Sequence, residues 1–195
     1  VVMKLNGRLD RSRLIKAVRL SVDAEPVFGC RFVENHPPYW KRLDNIDKVR
    51  FCTFEETYNP DEAIKRFVES PLDMDNDPMV KLRLISCGQY DTLCLKINHT
   101  CCDGTGTKEY INLLSDIYSR LGQNNGVFVP KPRTRSRKDQ DRLFEALGIK
   151  DPESAWTGEL EKPRNMFAFP WQPGRPVNPC SAVCKLPPGI IEKMS

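Results

Sequence analysis

Hydrophobic positions along this chain recur with two periods, and each change of period marks an element. Val2 to Gly7 reads as a strand leading to a helix that Asp10 caps, with Leu14, Ala17, Val18 and Ser21 at helical spacing. Glu25 to Val33 and Tyr39 to Leu43 read as a hairpin across the turn-rich ENHPP, and Val49, Phe51 and Thr53 alternate as a further short strand. NPDEAIKRFVES predicts a helix: Asn59 caps it, Pro60 takes the first helical position, acids fill the first turn, and Ala63, Ile64, Phe67 and Val68 share a face.

Val80, Leu82 and Leu84 then alternate with Lys81 and Arg83, and after CGQYD, Leu93, Leu95 and Ile97 alternate with Cys94 and Lys96. Two such runs separated by a short turn predict adjacent antiparallel strands. Tyr110, Leu113, Leu114, Ile117 and Leu121 form the apolar side of a helix ending at Gly122. From Val129 the texture changes to proline and charge, with one helix expected near Asp139 to Leu147. The tail SAVCKLPPGIIEKMS reads as a strand and the start of a helix. These elements give an α+β fold: a mixed, largely antiparallel sheet with packed helices. The expected divisions are a lobe over 1–128, a crossover segment over 129–180, and a final strand opening a truncated second lobe over 181–195.

Composition narrows the function classes. A chain of 195 residues with 39% hydrophobic side chains is ample for a buried core. Its formal charge of +4, from 30 cationic and 26 anionic side chains, does not call for nucleic acid. The run KPRTRSRK at 131–138 is basic but has no interleaved aromatics, so it reads as a solvated loop; a contact to the phosphates of CoA or phosphopantetheine is its secondary reading. No apolar run reaches the roughly 20 residues of a membrane span, and no signal-peptide pattern opens the chain. The eight cysteines, at 30, 52, 87, 94, 101, 102, 180 and 184, form no CxxC pair and no regular framework. Free thiols in a reducing cytoplasm are therefore expected, and no metal site. DMDND starts like a calcium loop, but Pro78 stands where that loop needs glycine and Leu84 where it needs glutamate.

The candidate chemistry sits in INHTCCDGTG, residues 97–106, which holds one of only two histidines. His99 falls just past a strand and Asp103 near the entrance of the next helix. A histidine at a strand end is open to substrate, and an unperturbed imidazole, with a pKa of about 6.5, serves as a general base near neutral pH. Asp103 lies too near the turn to be assumed a direct orienter of that imidazole, and a carboxylate here could equally brace the loop through a basic residue; Gly104 and Gly106 permit a tight turn with close backbone approach. The bland alternative for His99 is a loop histidine bonded to nearby backbone. His36, in NHPPYW, has no carboxylate at useful spacing and reads as a turn residue. Cys101 and Cys102 read as small loop-filling side chains rather than nucleophiles.

The order strand, HxxxDG, amphipathic helix resembles the signature of the CoA-dependent acyltransferase superfamily, which has the chloramphenicol acetyltransferase-like fold. LNGRLDRSRLIKAVRLSVDAEPVFGCRF, SPLDMDNDPMVKLRLI and DTLCLKINHTCCDGTG are similar, in order, to segments of its condensation-domain and alcohol-acyltransferase branch. The resemblance covers about residues 3 to 122. It implies that His99 is the catalytic base and Asp103 a structural residue held by a salt bridge, with Gly104 in the turn. Asn98 stands where condensation domains usually have a first histidine. Gly29 stands where the strand's arginine is expected, leaving Arg31 and Arg83 as candidate partners of Asp103.

The resemblance further implies an acyl donor supplied as acyl-CoA or as a phosphopantetheine-linked thioester, possession of no tightly bound cofactor, and an alcohol or amine acceptor. A carrier protein is a further expected partner. Such enzymes resemble a pseudo-dimer of two lobes, and this chain matches the first plus a crossover, so a second lobe or second chain is expected to complete the channel. The alternative is a noncatalytic condensation-like binding module or an incomplete half-enzyme. Trp156, Phe167, Phe169 and Trp171 are expected to pack rather than stack on a ligand.

Overall fold

The computed structural model describes residues 1–36, 39–73, 76–123, 126–133 and 137–149. The expectations for the rest of the 129–180 crossover, the strand over 181–195, the four late aromatics, Cys180 and Cys184 lie outside the described residues. So does part of the KPRTRSRK run.

Strand β1 (Val2–Lys4) is followed by α1 (Arg11–Ala24). Asp10 caps α1 as its spacing predicts, its carboxylate accepting from the Arg13 amide at 2.7 Å, and Leu14, Ala17, Val18 and Ser21 are all buried. Strands β2 (Cys30–Val33) and β3 (Tyr39–Arg42) form the expected hairpin, but as a separate two-stranded sheet. The first half of the predicted strand, Pro26–Gly29, is a single 3-10 turn. Pro26 has no amide hydrogen to donate to a ladder.

Strand β4 (Cys52–Glu56) starts three residues later than the Val49 alternation predicts, because Ile46–Lys48 turns tightly. Helix α2 (Pro60–Glu69) carries its Asn59 cap and buries Ala63 and Phe67. Strands β5 (Val80–Cys87) and β6 (Tyr90–Ile97) pair antiparallel through a two-residue turn. Gly88 has φ +57 there, a left-handed conformation that glycine adopts without a Cβ penalty. Helix α3 (Gly104–Leu121) follows the HxxxDG loop and ends at Gly122.

The main sheet has the order β1-β6-β5-β4, antiparallel except for the β4–β5 pair, which the α2 crossover makes parallel. The mixed, largely antiparallel α+β architecture is therefore as the sequence predicts. What the alternation conceals is that both faces of the sheet are covered. Leu82, Leu84, Leu93 and Leu95 join Leu14, Val18, Tyr110, Leu114 and Ile117 in the main core under α1 and α3. Ile85 and Cys94 face the other way and form a second cluster with Ala63 and Phe67 of α2. The α1–α3 contact is fixed by one polar pair inside the core: the fully buried Tyr110 hydroxyl lies 3.0 Å from Ser21 Oγ, which also donates to the Val18 carbonyl at 2.7 Å.

By compactness the described chain divides after Pro132, and the part from Arg133 onward is a unit of its own. That unit contains α4 (Arg137–Ala146), close to the predicted helix. It closes on Gly148 at φ +70, with the Ile149 amide bonded to the Phe144 carbonyl and the Gly148 amide to Glu145. Among the described residues no helix is long and apolar enough to cross a membrane, no disulfide forms and no metal-binding cluster exists.

Candidate active site

The loop between β6 and α3 is built by backbone hydrogen bonds before any functional side chain enters. The Asn98 amide donates to the Met79 carbonyl at 2.8 Å, tying the loop to the start of β5. The Cys101 amide then closes a turn on the Asn98 carbonyl at 3.2 Å. Asn98 Oδ1 reinforces this turn by accepting from the Thr100 amide at 3.0 Å and from Thr100 Oγ1 at 2.8 Å. His99 occupies the turn's outer corner and is exposed, and among the described residues no hydrogen bond reaches its ring. The bland reading, a histidine bonded to nearby backbone, is not what the loop shows.

Asp103 is the N-cap of α3. Its Oδ1 accepts from the Gly106 amide at 2.8 Å, while its carbonyl receives the Thr107 amide and hydroxyl, both at 2.9 Å. The Gly106 amide, with that of Thr105 and the charge of His99, holds the Asp103 carboxyl below the usual carboxylate range against a smaller opposing effect of burial. Asp103 thus stands in the electrostatic reach of His99 while its own hydrogen bonds go to the helix.

The expected interior salt bridge is corrected by this geometry. Asp103 is exposed, and neither Arg31 nor Arg83 is its partner. Arg31 lies in β2, in the small hairpin. Arg83 is on the sheet face under α2, opposite α3, bonded to Thr53 Oγ1 at 3.1 Å and to Glu55 at 3.3 Å. A carboxylate satisfied by amides at a helix N-terminus, where the backbone dipoles are positive, does not require a cation.

The space that an arginine at position 29 would need is taken. A Cβ on Gly29 would lie 2.6 Å from Arg42 Nη1 and 2.6 Å from Val22 Cγ1. Arg42 reaches across to donate to the Val22 carbonyl at 3.1 Å, the Pro26 carbonyl at 3.0 Å and Asp23 at 2.7 Å, so it closes the C-terminal end of α1. Sequence reading missed Arg42. The only available signal was its place opposite Cys30 in the hairpin register.

The two motif glycines differ. Gly106 is required by close approach, since a Cβ there would meet Cys102 Cβ at 2.9 Å, whereas Gly104 faces open space. Cys101 donates to the Asn98 carbonyl at 2.9 Å, and burial pushes its thiol up to about 12. That is a loop-filling thiol and a poor nucleophile. His36 sits in the β2–β3 turn, its amide bonded to Asn35 Oδ1 at 2.9 Å, as a turn residue.

The Condensation domain family matches residues 1–178. This chain belongs to the Condensation domain family. No curated protein matches it. Among solved structures, this Condensation domain chain is similar to the first condensation domain of the CDA synthetase, with TM-score 0.60 and 20% identity, covering 75% of this chain and 39% of that one. It is also similar to the SgcC5 protein from Streptomyces globisporus, with TM-score 0.57 and 16% identity over 79% of this chain and 36% of that one. The epimerization domain from the third module of tyrocidine synthetase B gives TM-score 0.57 and 20% identity, over 75% and 35%. At these identities the likeness is one of fold. The chain spans less than two-fifths of the length of the solved CDA synthetase domain, and the resemblance read from the HxxxDG context is borne out as the N-terminal portion of that fold.

Proposed function

We propose that this chain supplies the base-bearing half of a condensation reaction, in which an acyl group leaves a thioester for an amine or alcohol acceptor. The acceptor's nitrogen or oxygen attacks the thioester carbonyl and His99 takes its proton. The C–S bond breaks, and the departing sulfur leaves as a thiol after receiving a proton. Asp103 fixes the loop through the α3 cap and lends negative charge near the imidazolium that forms. The donor is a carrier-bound phosphopantetheine thioester, the form in which condensation domains receive substrates, with acyl-CoA as the alternative source of the same thioester. A second lobe, in the same or another chain, supplies the opposite wall; without it the reactants are not held together, and positioning accounts for much of such a rate. We place the reaction in a reducing cytoplasm, in keeping with the free thiols of the described residues.

The observation that carries this reading is His99 itself: exposed on a turn made rigid by its neighbours' hydrogen bonds, with its ring unengaged and a carboxylate nearby. In the full-length protein, His99→Ala should lower thiol release from acyl thioesters by about a hundredfold or more, with circular dichroism unchanged. Turnover equal to wild type would refute the assignment.

One observation favours a second reading, a noncatalytic binding module. Asn98, at the position of the usual first histidine, is committed to Thr100. On that reading, full-length wild-type protein binds a loaded carrier domain and releases no thiol.

A further inference from the structure

On the sheet face under α2 there is a cavity of about 440 Å³ that His99 does not line. Its volume falls within the range typical of small-molecule sites, about 300–1,000 Å³. Arg50, Lys81, Arg83 and Lys96 line it, and among the described residues the one lining carboxylate is Asp77. Two of these cations are neutralised: Lys81 by Asp77, and Arg83 by Glu55, which Arg66 also shares. The neighbouring Asp73 carboxylate is engaged by the Asn76 amide and side chain.

Lys96 and Arg50 have no carboxylate partner among the described residues. Lys96 is half-buried, donates to the Ser70 carbonyl and hydroxyl, and stands 4.9 Å from the Phe67 ring centroid; Arg83 approaches the same ring at 5.1 Å. Burial, with the charges of Lys81 and Arg83, pulls the Lys96 ammonium below its usual range despite the attraction of Asp77. A half-buried cation with no carboxylate partner among the described residues favours an anion beside it.

We infer that the cavity bounded by Arg50, Lys81, Arg83 and Lys96 binds a phosphate monoester carrying an apolar group. Cations carried on the segment before β4, on β5 and on β6 line the one cavity, and several cations on different strands suit a dianion with three outward oxygens better than a planar monocarboxylate. Phe67, Leu72 and Val49 give the organic part an apolar wall. The site goes beyond the acyl-transfer reading and does not depend on it.

Titration calorimetry of the full-length protein with phenyl phosphate tests the inference. One saturable site is expected, filled more tightly by phenyl phosphate than by benzoate, which has the ring and a single charge. Lys96→Gln and the exposed Arg50→Gln should each weaken binding by about tenfold, or 1.4 kcal/mol. Lys4→Gln, on β1 outside the cavity, and His99→Ala should leave it unchanged. The inference is overturned if no saturable heat appears, if benzoate binds as tightly, or if Lys4→Gln weakens binding as much as Arg50→Gln. Arg50→Gln serves if Lys96→Gln does not fold.

Discussion

At the scale of single residues, the loop's most informative side chain is Asp103, because two roles make opposite predictions for one substitution. As a helix cap it needs an acceptor for the Gly106 amide; as a salt-bridge brace it would need its charge. Asp103→Asn keeps the acceptor, so the full-length protein should keep a thermal midpoint near that of wild type, whereas Asp103→Ala should lower it. A midpoint as low for the asparagine variant as for the alanine variant would restore the ionic brace. The pH dependence follows from the lowered carboxyl. Its folded-state pKa lies below its unfolded value, so its contribution is fully present above the ordinary carboxylate range and is lost as pH falls through the lowered value. The protection of the Gly106 amide against exchange, relative to its intrinsic rate at each pH, should fall in that window down an acid titration. That His99 and Asp103 share one loop between a strand and a helix was legible from the motif in its sequence context. Asp103's hydrogen-bond partner was not, since a carboxylate at a helix entrance is satisfied equally well by amides or by a distant cation, and spacing does not distinguish them.

At the scale of elements, caps and periodicities carried most of the information. Asp10, Asn59 and Gly122 each end a helix where their chemistry requires, and the β5–β6 hairpin follows from its alternation and short turn. The places where the pattern misled are physical. Cys94 and Ile85 lie on the face that alternation marks as polar, yet α2 covers them, and no local signal tells where a crossover helix will land. Tyr110 reads as one more apolar position in α3, but its hydroxyl joins α1 through Ser21. This pair predicts an asymmetry. Ser21→Ala strands a fully buried hydroxyl and should cost about 1–3 kcal/mol, whereas Tyr110→Phe leaves Ser21 bonded to Val18 and should cost about 1 kcal/mol or less. Urea unfolding of the two variants measures both, and equal losses would show that the hydroxyl has another partner.

At the scale of the whole molecule, the cysteines report how tightly the lobe is closed. Burial raises the thiols of Cys30, Cys52, Cys94 and Cys101, with Cys52 and Cys101 pushed up to about 12. Alkylation of Cys52 and Cys101 in the folded protein should therefore be slower than in urea by on the order of a thousandfold, as the thiolate fraction falls. Mass spectrometry after timed iodoacetamide treatment would show this, and prompt labelling of both under native conditions would mean that the lobe opens. The turn beside Asn98 has a wider consequence. Its hydrogen bonds run through Met79, Asn98, Thr100 and Cys101, and among the described residues none passes through the imidazole. On the proposed reading of His99 as the base, reactivity and architecture are thus encoded by different side chains, and one substitution at that position would remove the proton acceptor without refolding the lobe.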